Sequence, residues 1–169
     1  MIRRYQLHSE ALSAADDDDM SSDVAVSLAE QPCGLALLTF WIANYFPSQA
    51  IIRRLNKALK AALEWSEAEQ SSFWKPYPKL LMWILFIGVH SSPSPSPSSG
   101  GAVVRTKDEQ RDEEGKMRRW FVFRLRRVAR DKLRLRGWEE MRKILKQHFY
   151  IDRVYRKSLV KIWEEVVSE

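Results

Sequence analysis

Eight consecutive apolar residues, Leu80 to Ile87, lie between Pro78 and Gly88. A segment that is apolar all round has no face to offer water, so the rest of the chain must enclose it on every side. Pro78 suits the first turn of a helix and Gly88 is expected to stop it. Leu and Met outnumber β-branched residues in the run, which favours helix over a buried strand. A second dense run, Leu35 to Phe46, is introduced by Pro32 and Gly34 and is expected to end near Pro47. Both runs fall short of the roughly 18 to 20 residues that a bilayer crossing needs. They read as buried helices, and no transmembrane segment is expected.

The covering elements are legible from their period. After Ser48, a natural cap, Ile51, Leu55, Ala58, Leu59 and Ala62 recur at helical spacing with Arg53, Lys57, Lys60 and Glu64 opposite. Residues 66–78 form a connection with aromatic anchors Phe73, Trp74 and Tyr77. Further on, Met117, Phe121, Leu125, Val128 and Leu135 share one face of a helix, while Arg119, Arg126, Arg127, Arg130 and Arg134 project from the other. Gly137 is expected to break that helix. Trp138, Met141, Ile144, Leu145 and Phe149 mark another helix, and Leu159, Ile162, Trp163 and Val166 a last one, from Ser158 to Val167. Trp83, Trp120, Trp138 and Trp163 are the expected structural anchors, because each indole buries a large apolar area.

Two segments depart from this pattern. Residues 1–30 carry seven acidic residues against two basic ones and few large apolar groups, so they are expected to be a disordered acidic arm. Residues 91–101 are almost wholly Ser, Pro and Gly, and the charged residues 106–116 follow, so residues 91–116 read as a flexible insertion. The expected fold is all-α: an irregular helical bundle with a long disordered Ser/Pro-rich insertion. Its N-terminal helical part is 31–90 and its C-terminal helical part 117–169.

The chemistry-bearing residues are sparse. Cys33 is the single cysteine, which excludes a disulfide framework or a multi-cysteine metal cluster and points to an intracellular protein. The N-terminal residues lack the apolar core of a secretory signal. His8, His90 and His148 are far apart and none has a ligand at metal spacing, while Asp16 to Asp19 lack the Gly turn and bidentate Glu of a calcium loop. No catalytic residue, cofactor or metal is therefore expected. Charge is divided unevenly: residues 105–161 carry 20 Lys or Arg against 9 Asp or Glu, opposite in sign to the N-terminal arm. Such a basic half suits an acidic arm or an anionic partner.

Four pieces then occur in order: Pro78 to Gly88, Trp120-Phe121-Val122, Trp138 to Lys146 beginning Trp-Glu-Glu, and Ile162-Trp163-Glu164-Glu165. Together they resemble the C-terminal part of the regulatory domain of fungal zinc-cluster transcription factors, over roughly residues 35–167. The resemblance implies a nuclear, non-catalytic regulatory or interaction domain that acts in transcription through protein contacts, with a protein partner or a second copy. The family's DNA-binding module is a six-cysteine zinc cluster, and Cys33 cannot supply it. Sequence-specific DNA binding by this chain alone is accordingly not expected. The alternative is a basic amphipathic-helix module, in which Arg119, Arg126, Arg127, Arg130 and Arg134 grip nucleic acid, a membrane surface or a calmodulin-like partner.

Overall fold

A computed structural model describes residues 28–70, 72–93 and 105–168, which are helical with short connections and contain no strand. The acidic arm lies outside the described residues up to residue 27, as do residues 94–104 of the Ser/Pro stretch. The helices are α1 (residues 28–45), α2 (Gln49–Glu69), α3 (Pro78–Ser91), α4 (Arg105–Arg126), α5 (Trp138–Leu145) and α6 (Asp152–Ser168). A π-helical turn, Arg127–Lys132, extends α4.

Helix α3 is the axle. Every residue from Leu81 to Val89 is buried, and α3 packs against α2, α4, the π turn, α5 and α6. The all-round apolar run thus obtains its neighbours from amphipathic helices that each turn a stripe inward. Phe121, Leu125 and Val128 supply the stripe of α4, Met141 and Leu145 that of α5, and Tyr155, Leu159, Ile162, Trp163 and Val166 that of α6. Helix α1 joins through Phe40, whose ring lies 5.9 Å from Tyr155 and 6.1 Å from Phe149.

Several expected boundaries move, each for a local reason. Gly88 does not stop α3, which runs on to Ser91. A Cβ on Gly88 would lie 2.6 Å from the Phe121 ring, so the missing side chain is what lets α4 approach α3 so closely. The insertion read as 91–116 is shorter, because α4 begins at Arg105. Its third turn is held to α2 by Arg53–Glu114 and Lys57–Glu113 pairs at 2.8 and 2.9 Å. Gly137 does not end the long helix either; the chain leaves it at Arg134, which takes φ 53° in the left-handed region. Helix α5 stops at Leu145, short of Phe149, whereas α6 starts six residues before Ser158 at Asp152, whose carboxylate receives the Arg142 guanidinium at 2.6 and 2.5 Å.

The inward face of α2 is also rotated from its expected position. Ile52, Asn56, Leu59, Leu63 and Ser66 are buried, while Ile51 and Ala58 are exposed. The cause is a polar junction with the end of α3: Ser91 Oγ donates to Asn56 Oδ1 at 2.9 Å, and Asn56 Nδ2 donates to Ser92 Oγ at 3.3 Å. Ser48 does stand before α2, but it contributes only its carbonyl, which accepts from the Ile52 N–H at 2.9 Å.

Candidate functional site

The five arginines expected on the basic face of α4 are divided by the structure. Arg119, Arg127, Arg130 and Arg134 are exposed and Arg126 is half-buried. Arg118, not among the five expected residues, turns inward and is only 7% exposed. Its Nη1 donates to the Val89 carbonyl at 2.8 Å and the Ser92 carbonyl at 2.9 Å. These are the groups that a helix leaves without intrahelical donors at its C-terminal end. Its Nε and Nη2 bind Glu165 of α6. The signal for an inward arginine was present, since 118, 121 and 125 fall on one helical face.

The π turn builds the second feature. Its ladder includes Leu133 N–H to the Val128 carbonyl at 2.9 Å, and Leu135 N–H reaches back to the Ala129 carbonyl at 2.8 Å. Such wide turns are often found at functional positions. Here Arg127 and Lys132 come to line one hollow of about 330 Å3. Lys75 and Trp74 line it from the connection before α3, with Arg124 from α4 and Glu67 from α2. Glu67 pairs with Arg124, whose guanidinium also lies 4.9 Å from the centre of the Trp120 ring, while Lys60 approaches that ring at 5.5 Å. Burial, and secondarily the charge of Arg127, pull the Arg124 pKa below its ordinary value.

The third feature is apolar. Helix α1 exposes Leu37, Leu38, Trp41 and Tyr45, with Phe46 just beyond its end; Trp41 is 53% exposed and its ring lies 4.4 Å from that of Tyr45. Phe149 is 60% exposed beside Phe40. Between Leu37 and Phe149 lies a cleft of about 380 Å3, with Cys33, Leu80, Trp83 and His148 in its walls. Burial pushes the Cys33 thiol up and the His148 imidazole down, so each is held in its neutral form.

The expected tryptophan anchors fall into two pairs. Trp83 and Trp163 are buried, and the Trp83 indole N–H donates to the Phe149 carbonyl at 2.9 Å. Trp120 and Trp138 are half-buried and pack against the core from outside. Trp74 is buried as well, its indole N–H donating to Ser66 Oγ at 2.9 Å. Among the described residues no group of three or more His, Cys, Asp or Glu side chains is placed to hold a metal ion, and no helix is long and apolar enough to cross a membrane.

Compared with models of known families, with curated proteins and with solved structures, the chain matches none of them.

Proposed function

We propose that the protein is a non-catalytic interaction domain of the nucleus that acts in transcription regulation through protein contacts made by the aromatic face of α1. The observation that carries this reading is the row of exposed apolar side chains Leu38, Trp41, Tyr45 and Phe46 on and just beyond one helix. Scattered exposed apolar residues are ordinary, but a contiguous row rich in aromatic groups is the composition of a protein interface core. Trp and Tyr contribute the most there, because each buries a large rigid area for few frozen torsions. The regulatory half of the reading rests on the four sequence pieces that resemble the fungal regulatory domain. Its non-catalytic half rests on the chemistry of Cys33, whose thiol burial pushes up, away from the thiolate that an activated nucleophile needs. Recognition of a DNA sequence is not assigned under this reading to these residues alone.

The test joins the chain to a heterologous DNA-binding domain and measures reporter output for the wild type and for Trp41→Glu with Tyr45→Glu. Light scattering and hydrophobic-dye binding are measured on the same purified proteins. The wild type is expected to change reporter output and bind dye, and the double variant to do neither while keeping its helical content. A wild type that is monomeric, dye-silent and without effect on the reporter overturns the reading.

A further inference from the structure

The cationic hollow at the π turn has no part in the proposed contacts of α1, and its lining cations outnumber its carboxylates. Lys75, Arg124, Arg127 and Lys132 line it, and its one carboxylate, Glu67, is engaged by Arg124. Among the described residues, Lys75, Arg127 and Lys132 make no ion pair. Gathering three unpaired cations around one recess costs free energy through mutual repulsion, which a bound anion removes.

The backbone enforces this gathering. Arg127 and Lys132 are the first and last residues of the π turn. In a regular α-helix two residues five apart point about 140° away from each other. The wider winding lets both face the same hollow. Lys75 arrives independently, from the turn at residues 72–76 before α3. That turn is fixed by Trp74, which is buried and hydrogen-bonded to Ser66. The walls are thus rigid: Trp74, Leu81 and Val128 are buried core residues whose edges form the apolar part of the lining. The remaining expected arginines, Arg119, Arg126, Arg130 and Arg134, do not line it.

We propose that this hollow is a binding site for a dianionic phosphate group. Two guanidinium forks and two ammonium groups exceed what a single carboxylate needs, and match the several acceptor oxygens and double charge of a phosphate monoester or pyrophosphate. The volume of about 330 Å3 admits such a group with a small substituent. The same chemistry is offered by a soluble phosphate compound or by a phosphate lipid headgroup, and the experiment separates the two.

The full chain is titrated calorimetrically with inorganic pyrophosphate at fixed ionic strength, and in parallel with phosphatidylcholine vesicles with and without phosphatidic acid. Three proteins are compared: wild type, Arg127→Gln with Lys132→Gln, and a control that removes two other exposed charges, Arg119→Gln with Arg130→Gln. Thermal unfolding without ligand establishes that each is folded; if the hollow variant is not, Lys75→Gln takes its place. Pyrophosphate is expected to saturate one site per chain, with affinity about tenfold weaker in the hollow variant and changed by about twofold or less in the control. The same ranking on phosphatidic acid vesicles, without binding to pyrophosphate, also supports the site and assigns the phosphate to a headgroup. Equal losses in the two variants reveal diffuse surface attraction and overturn the proposal, as does the absence of saturable binding to both probes.

Discussion

Arg118 and Glu165 lie 47 residues apart and meet as one planar fork on another, Nε to Oε2 at 3.1 Å and Nη2 to Oε1 at 2.7 Å. The same guanidinium closes the end of α3 through Val89 and Ser92, so one side chain ties three helices. Replacing Arg118 by Met keeps the apolar stem and removes every donor, which leaves the Ser92 carbonyl and Glu165 without their Arg118 partner. Urea unfolding is expected to show a loss of about 3 kcal/mol. Glu165→Gln, which keeps one acceptor and leaves the carbonyl contacts intact, is expected to cost about 1 kcal/mol. Equal costs would mean that the contacts to α3 contribute nothing.

Gly88 offers a test with opposing terms. Alanine is the better helix former by about 1 kcal/mol, yet its methyl would meet the Phe121 ring at 2.6 Å. Phe121 is fully buried, so the ring has nowhere to swing. Gly88→Ala is therefore expected to destabilise by about 1 to 3 kcal/mol net, read as a lower denaturation midpoint. A neutral or stabilising outcome would show that α3 and α4 separate easily.

His90 predicts how stability depends on pH. Its ring stacks on Phe86 and meets Tyr155 edge-on at 4.5 Å. Burial, reinforced by the nearby Arg118 charge, lowers its pKa from 6.5 to about 4. The unfolded chain then binds the proton more readily than the folded one, so stability is complete above pH 6.5 and falls as pH drops towards 4. At pH 5 the loss from this residue is about 2 kcal/mol. His90→Phe is expected to flatten most of the slope in that window. His148, lowered by burial and by Lys79, acts in the same sense and leaves a shallower remainder. An unchanged slope in the variant would place the effect elsewhere.

Trp83→Phe retains an aromatic ring in the core and deletes the indole donor to the Phe149 carbonyl. A cost of about 1 kcal/mol is expected. Hydrogen exchange should accelerate selectively over residues 146–151, the connection that this bond holds to α3. Uniform acceleration across the chain would argue that the bond has no local role.

The helical composition, the enclosure of residues 81–87 and the stripes of α4 and α6 were legible because each rests on apolar periodicity, which burial enforces directly. What escaped the sequence was carried by polar or small residues. The face of α2 was misplaced because Asn56 and Ser66 count as polar, although partners on α3 and at Trp74 make them core residues. Gly88 was read as punctuation when its service is to a ring 33 residues on, and no local rule reports that distance. At the cationic hollow, Arg127 was among the expected residues, whereas Lys75 and Lys132 were not, because the hollow depends on a wide turn that helical periodicity of 3.6 does not anticipate.

The hydrogen bond between Asn44 of α1 and the Tyr155 hydroxyl spans 111 positions of the chain. Loops of that span close slowly, since the entropy of bringing the ends together is lost before the contact repays it. During synthesis, α1 and α3 leave the ribosome long before α6, which supplies Tyr155 to the rings of Phe40 and Phe86. For that interval α3 has α2, α4 and α5 as neighbours but lacks the cover that α6 adds. The core around Tyr155 thus closes only when α6 arrives, after the helices it joins have been made.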